Sequence, residues 1–245
     1  MDTPALNATA EPDTKVGLGT TMPELLLLAD GRFPSGGHAH SAGLEAAAAL
    51  EGVRDVPHLE SFLVGRLATA GVVAAAFTAA SCVAAVDGAD DRLAALDEEC
   101  AARTPSPALR TASRRLGRGL LRTGRTVWPD AVAVPFPAVP GRGPHQPIAL
   151  GTVAAAAGLG PGEAALVSAH DAVMGPATAA VRLLGIDPFA VHALVARLGP
   201  QISAVAADAA AHADSDPAEL PSHAAPLQDV AAEHHATWEV RLFAS

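Results

Sequence analysis

The sequence has few of the residues on which nucleotide-binding enzymes and sheet-rich folds depend. Its 245 residues include no tyrosine, and aromatic side chains make up only 3% of the chain. Lysine occurs once, at Lys15, where Thr14 precedes it. A P-loop requires a Gly-Lys-Ser/Thr step, and a protein kinase requires a lysine inside a strand. Both classes are therefore excluded, and the chain is not itself a typical GTPase.

Cysteine and the short catalytic motifs are equally scarce. The two cysteines, Cys82 and Cys100, cannot form a four-cysteine zinc site and make a weak case for a disulfide, which favours a reducing, cytoplasmic location. The sequence contains no Gly-x-Ser-x-Gly, His-Glu-x-x-His or Cys-x-x-Cys motif. We therefore expect no enzymatic activity and no tightly bound cofactor.

Positive charge is also low. Sixteen basic residues against 26 acidic ones give a formal charge of -10. General nucleic-acid binding depends on lysine and arginine neutralising phosphates. We expect no nucleic-acid partner, and any basic contact has to be local.

Apolar residues make up half of the chain, with alanine and leucine dominant, and this composition predicts an all-α fold. We expect a single compact, bundle-like domain of roughly eight to ten helices over residues 22–245. Residues 1–21 mix Pro, Thr, Gly and acidic residues without the basic and apolar regions of a secretion signal. They are predicted to be a disordered lead.

Helical periodicity predicts most of the elements. A central helix begins near Pro57, and its segment 71–86 is too short and too rich in alanine for a membrane span, so no membrane association is expected. A long Pro/Gly-rich loop is predicted at about 129–147, and Pro176 and Pro200 should kink or break their helices. The other predicted helices are 90–103, 148–157, 162–184 and 188–212.

The most informative stretch is Leu25 to Ala48, which reads as helix, glycine loop, helix. Gly36 and Gly37 allow a positive φ or a close backbone approach, and Pro34 fixes φ. Ser41 is placed to cap the following helix, with Glu45 in its first turns.

Seven of the sixteen basic residues fall between Arg103 and Arg125. Their four-residue spacing predicts one basic helix face, formed by Arg110, Arg114, Arg118 and Arg122. No acidic residue lies between Pro105 and Trp128 to neutralise this face locally. The face is either solvated or docks on an acidic partner, whereas the acidic run at 97–99 is expected to be solvated.

Four histidines are candidate metal ligands, although neither pair has a cysteine or a well-spaced third ligand. They are His38, His40, His234 and His235. The C-terminal segment, residues 226–245, can form an amphipathic helix that docks on a partner, or its apolar side chains can pack back onto the bundle.

The chain resembles the urease accessory protein UreF family in several motifs. Like the family, the segment that begins at Leu25 carries a leucine run, a Phe-Pro step, a glycine pair and a Ser-x-Gly-Leu-Glu sequence, and His38 stands where the family usually has an aromatic residue. The matching residues of this segment are Phe33, Pro34, Gly36, Gly37, His40, Ser41, Gly43, Leu44 and Glu45. The resemblance continues at Ala112 and Ser113, at 145–147, and at the C-terminal residues His235, Thr237, Arg241, Leu242 and Phe243.

This resemblance implies a non-catalytic assembly protein. The implied partners are a D/H-type urease accessory protein, a G-type accessory GTPase and apo-urease. The resemblance also implies that nickel is handled indirectly through the complex and that the protein is usually a homodimer. The matching loop and C-terminal residues, together with the arginine face, are then candidate partner-binding residues. The alternative is a small metal-binding or hydrolytic protein that uses His38 and His40. A hydrolase built from Ser35, His38 and an unidentified acidic residue is the other catalytic arrangement.

Overall fold

The computed structural model describes residues 22–129 and 143–243, and within these ranges it confirms an all-α single domain. The predictions for the lead at 1–21, and for the loop over residues 130–142, lie outside the described residues. The α-helices are α1 Met22–Ala29, α2 Leu44–Leu50, α3 Val56–Arg66, α4 Val72–Val86, α5 Asp90–Ala102, α6 Pro107–Val127, α7 Gln146–Ala156, α8 Pro161–Leu184, α9 Pro188–Ala211 and α10 Pro226–Ala236.

Helices α3 and α4 form one continuous rod, residues 56–86, joined by a π-helical turn at Leu67–Gly71. Asp55 caps the rod, because its side chain accepts a hydrogen bond from the backbone N–H of His58 at 3.0 Å. The sequence did not predict the π turn. At this turn the Arg66 side chain reaches α8 and donates to the carbonyl of Ala172 at 3.1 Å.

Helix α4 lies at the centre and packs against α5, α7, α8 and α9. Its contact with α7 is close, because a Cβ atom on Gly151 would lie 2.3 Å from the Thr78 carbonyl. Only glycine allows two helix backbones to approach this closely. A second, smaller group of buried residues, which includes Leu28, Leu120 and Val153, lies under α1 and α6.

Two helices of the described chain, Val56–Val86 and Pro188–Ala211, are long and apolar enough to span a membrane by length and composition. In the first, the most apolar segment is the buried centre of the bundle. In α9, Val191, Leu194 and Leu198 are buried, and α9 packs against α4 and α8.

Of the predicted kink or break at two interior prolines, the break does not occur. Helix α8 continues through Pro176, and α9 continues through Pro200. In each case a glycine, Gly175 or Gly199, precedes the proline. The proline ring disfavours a helical preceding residue partly through a clash with its Cβ, which glycine lacks.

Candidate docking site

The glycine loop, residues 30–43, is held against helix α6. Phe33 is buried and its ring stacks on Trp128 with a centroid separation of 6.3 Å. The Thr123 hydroxyl donates to the carbonyl of Pro34 at 2.9 Å. A Cβ on Gly119 would lie 2.3 Å from the Ser35 carbonyl, so the loop rests directly on the α6 backbone. The loop is therefore a positioned element with exposed residues at its tip.

Three residues of the loop adopt the left-handed conformation that the sequence predicts for glycine. Gly36 has φ 92° and Gly43 has φ 90°, and Ala42 between them has φ 53°. A left-handed alanine costs about 1–2 kcal/mol. Gly37 does not share this conformation, and its Cβ would meet only the Ser35 hydroxyl at 3.8 Å. The conformational prediction is therefore wrong for Gly37.

Ser41 and Glu45 connect the loop to helix α2. The Ser41 hydroxyl accepts a hydrogen bond from the Glu45 backbone N–H at 3.2 Å, as the predicted cap requires, although the residue directly before the helix is Gly43. The Glu45 side chain points inward and is 7% exposed. Its carboxylate therefore requires partners inside the protein.

Those partners are the C-terminal residues of the described chain. The Glu45 carboxylate accepts from the backbone N–H of Leu242 at 2.8 Å and of Phe243 at 3.1 Å, and the Nε2 of His235 lies 2.9 Å away. We call these four residues the Glu45 cluster. Burial raises the pKa of Glu45, but the bonds from Leu242, His235 and Phe243 outweigh it and leave the pKa below its ordinary value.

The C-terminal segment is helical only in part. Helix α10 ends at Ala236, whereas the sequence favoured an amphipathic helix to the C-terminus. Phe243 is 5% exposed and belongs to the main core, with the Arg182 guanidinium 5.0 Å from its ring centroid. Both Leu242 and Phe243 donate their backbone N–H groups to Glu45, which requires an irregular chain at this point.

Several apolar side chains of this region face solvent instead. Leu242 is 70% exposed, and Arg241 beside it is also exposed. Further exposed side chains are Leu227, Val230 and Val240. Helix α10 is attached to the start of α6 through Glu233, which pairs with the Ser106 hydroxyl and accepts from the Ala108 N–H at 2.8 Å. The attached segment thus presents Arg241 and several apolar side chains at the surface.

The structure divides the predicted arginine face. Arg110 donates to the carbonyls of Thr104 and Pro105, both at 2.7 Å. Arg114 pairs with Asp97 at 2.9 Å and donates to the Gly143 carbonyl at 2.7 Å. These two arginines therefore hold the fold, and the prediction of a solvated acidic run is wrong for Asp97.

Arg118 and Arg122 remain exposed, as predicted. The sequence pattern did not single out Arg115 and Arg125, which share their side of α6 and are also exposed. Together with Arg118 and Arg122 they are spaced by three, four and three residues. This spacing stays on one side of an α-helix more closely than a strict four-residue repeat does, so it could have identified Arg115 and Arg125 from the sequence.

The four histidines proposed as metal ligands do not converge. His235 lies against Glu45, and the His234 ring accepts a hydrogen bond from the Trp238 indole at 2.9 Å. His38 is exposed, and burial together with Arg115 and His38 lowers the pKa of His40. Among the described residues no group of three or more His, Cys, Asp or Glu could hold a metal ion.

His145, in the 145–147 motif, is buried and has a positioning role. Its backbone N–H donates to Asp97 at 2.7 Å, and its Nδ1 lies 3.1 Å from the Ser113 hydroxyl. Burial first, and then Arg114, lower the pKa of His145 to about 4, so the ring is neutral at pH 7. These contacts join α5 and α6 to the start of α7.

The fold and this site define an all-α protein in which one buried carboxylate joins a glycine loop to the C-terminal segment. The sequence matches the UreF family over residues 53–199. The chain is 47% identical over 228 residues to the urease accessory protein UreF of Mycobacterium sp. (strain JLS), covering 92% of this chain and all of that protein.

Two further relatives are more distant. The UreF of Mycobacterium marinum (strain ATCC BAA-535 / M) is 42% identical over 226 residues, which cover 92% of this chain and 100% of that protein. The UreF of Mycobacterium tuberculosis (strain ATCC 25618 / H37Rv) is 38% identical over 216 residues, with coverages of 88% and 95%. The chain belongs to the UreF family.

Proposed function

We propose that this protein acts in urease maturation as a non-catalytic assembly factor in the cytoplasm. In this role it joins the D/H-type accessory protein to the G-type GTPase and modulates GTP-dependent nickel insertion into apo-urease. Membership of the UreF family supports the urease assignment. The absence of a P-loop lysine from the sequence supports a partner, rather than this chain, as the GTPase.

The observation that carries the proposal is the attachment of the C-terminal segment to Glu45. Two backbone bonds to the Glu45 carboxylate hold the chain on both sides of an exposed side chain, Leu242, and the His235 ring contacts the same carboxylate. A segment fixed in this way loses little conformational entropy when a partner covers it. In this proposal Arg241 and Leu242 contact the D/H-type accessory protein. The buried His235 and Phe243 position these two residues.

Nickel is the cargo of the proposed complex. His234, His235 and His40 have surroundings that suit structural roles, because the first two have bonded partners and His40 is half-buried with a lowered pKa. We therefore place nickel ligation in the assembled complex.

A homodimer is the proposed oligomeric form. Helix α1 exposes two neighbouring leucines, Leu26 at 62% and Leu27 at 44%. Exposed apolar side chains of this size on a helix at the surface suit an interface that excludes water. Sedimentation of wild-type and Leu26→Asp protein would test this part separately.

The decisive test is co-expression of this chain with the D/H-type and G-type accessory proteins, followed by size-exclusion chromatography with mass measurement. We expect one complex that contains all three proteins, and nickel-poor urease in cells that lack this chain. A chain that elutes alone under all conditions, or urease that carries full nickel without it, would contradict the proposal.

A further inference from the structure

Four arginines form a continuous basic row on helix α6, which we call the arginine stripe. The stripe consists of Arg115, Arg118, Arg122 and Arg125, all exposed. Their spacing of three, four and three residues places them on one side of the helix, and ten residues at 1.5 Å each give a row about 15 Å long.

The stripe has no partner in the described parts of the chain, since none of its side chains forms a hydrogen bond or ion pair there. Most other arginines in the same ranges are bonded. Those with a hydrogen bond to another residue are Arg32, Arg66, Arg92, Arg103, Arg110, Arg114, Arg182 and Arg197. Outside the stripe, only Arg54 and Arg241 lack one in these ranges.

Packing does not explain the stripe. The buried residues of α6, among them Gly117, Leu120 and Gly124, lie on the opposite side of the helix. Like charges three or four residues apart destabilise a helix. By sequence, segment 130–142 adds one acidic residue, Asp130, and one basic residue, Arg142, so its net charge is zero. In a protein with a charge of -10, the stripe is the one place where arginines accumulate at the surface of the described chain.

The stripe lies beside the glycine loop. On the neighbouring side of α6, the Thr123 hydroxyl donates to the carbonyl of Pro34, and the Ser35 carbonyl lies close against Gly119. Arg115 is also near enough to His40 to act on it electrostatically. A partner on the stripe would therefore also meet the exposed loop residues His38 and Ala39.

Charge complementarity decides the kind of partner. A guanidinium group binds a carboxylate through two parallel hydrogen bonds, and an acidic helix repeats its carboxylates every three or four residues, as the stripe does. The protein's own negative charge opposes approach to an extended polyanion such as a nucleic acid. We propose that the arginine stripe docks an acidic surface of another protein in the urease-maturation complex. This inference rests on the proposed function.

The test compares charge reversal in the stripe with charge reversal elsewhere. The double variant Arg118→Glu/Arg122→Glu removes two stripe charges, and glutamate keeps the side-chain stem that Arg118 lays against Gly143. The single variant Arg118→Glu is measured as well, and Arg54→Glu is its matched control, because Arg54 is exposed and unbonded in the described chain. All three variants should melt within about 2 °C of wild type, as surface substitutions do.

The probes are the purified accessory proteins and apo-urease of the same organism, each titrated separately. We expect the double variant to bind one of them about tenfold or more weakly at about 0.1 M salt, and the difference to shrink as salt rises. Arg118→Lys/Arg122→Lys should fall between wild type and the reversal, because it keeps the charge and loses the paired hydrogen bonds.

Four results would overturn the inference. One is a double variant that binds every probe as tightly as wild type does. Another is an equal loss in Arg118→Glu and Arg54→Glu, which would show a general charge effect. The third is stripe-dependent binding of duplex DNA or of phosphatidylglycerol vesicles that is tighter than binding of any protein probe. A wild-type chain that binds none of the protein probes would overturn the proposed function as well.

Discussion

The Glu45 cluster and the arginine stripe both contain charged residues that the sequence marks, Glu45 in the first and Arg118 and Arg122 in the second, but their surroundings are opposite. Glu45 is buried and has three partners from the C-terminal segment. The stripe is exposed and unbonded within the described chain. The comparison shows that a motif marks a residue without saying whether the residue serves the fold or a partner, and that burial and hydrogen bonding decide this.

Mutations in these two environments should have different effects. A change in the buried group should lower the free energy of unfolding, because it leaves polar atoms without partners. A change in the exposed group should leave stability nearly unaltered and act on association. Pairs of neighbouring residues, one from each environment, test the distinction most sharply.

The largest difference is expected between Phe243 and Leu242. Phe243→Ala should lower the free energy of unfolding by about 3 kcal/mol, because it empties a site in the main core. Leu242→Ala should change it by less than about 0.5 kcal/mol, since Leu242 is 70% exposed. Urea denaturation measures both, and equal effects would mean that the C-terminal segment is not attached as described.

Glu45 should give the stability of the C-terminal segment a dependence on pH. Because its pKa is lowered in the folded protein, its contribution is complete above the ordinary value of 4.5 and is lost as the pH falls through the lower folded-state pKa. Glu45→Gln should cost about 2 kcal/mol at pH 7 and remove this dependence.

Amide exchange of Leu242 and Phe243 provides the readout for Glu45. In the wild type the protection factor of these amides, which compares the observed rate with the intrinsic rate at the same pH, should fall as the pH drops through the folded-state pKa of Glu45. In Glu45→Gln the protection factor should be low at every pH. The exposed Glu51, at the end of the same helix, is the control, and Glu51→Gln should behave as wild type. Slow exchange that persists in Glu45→Gln would contradict the role of the carboxylate.

The two glycines that face or form the loop should differ in the same way. Gly119→Ala places a Cβ 2.3 Å from the Ser35 carbonyl, so the loop has to move, at a cost of about 1–3 kcal/mol. Gly37→Ala should be tolerated within about 0.5 kcal/mol, because its Cβ meets only a hydroxyl at 3.8 Å. Thermal melts would decide, and a greater loss in Gly37→Ala would show that the loop is positioned differently.

The smallest expected difference separates two arginines of one helix. Arg114→Ala should lower stability by about 1–2 kcal/mol, since it leaves Asp97 and the Gly143 carbonyl without this donor. Arg118→Ala should stay within about 0.5 kcal/mol of wild type. Equal stability of the two variants would contradict the assignment of Arg114 to the fold and of Arg118 to the exposed surface.

Local patterns were sufficient to predict the helices. The apolar periodicity of α4 and α9 and the hydroxyl cap at Ser41 involve residues within a few positions of one another. The continuation of α8 through Pro176 was missed because the proline was weighed without the glycine before it.

The site was harder to predict because its contacts join distant parts of the chain. Glu45 and His235 are 190 residues apart, and Asp97 and His145 are 48 residues apart. No spacing rule connects such pairs, so the sequence identified the residues of the Glu45 cluster without showing that they bond to one another. The resemblance to the UreF family marked the same positions, again without separating buried residues from exposed ones.

Binding of the D/H-type accessory protein to surface variants of the C-terminal segment tests the central claim most directly. The variant Arg241→Glu/Leu242→Asp changes two exposed residues and leaves Glu45, His235 and Phe243 in place. The account predicts that this variant has the wild-type melting temperature and no longer co-purifies with the D/H-type protein, while Arg54→Glu co-purifies normally. A double variant that is equally stable and still forms the complex in full yield would contradict it.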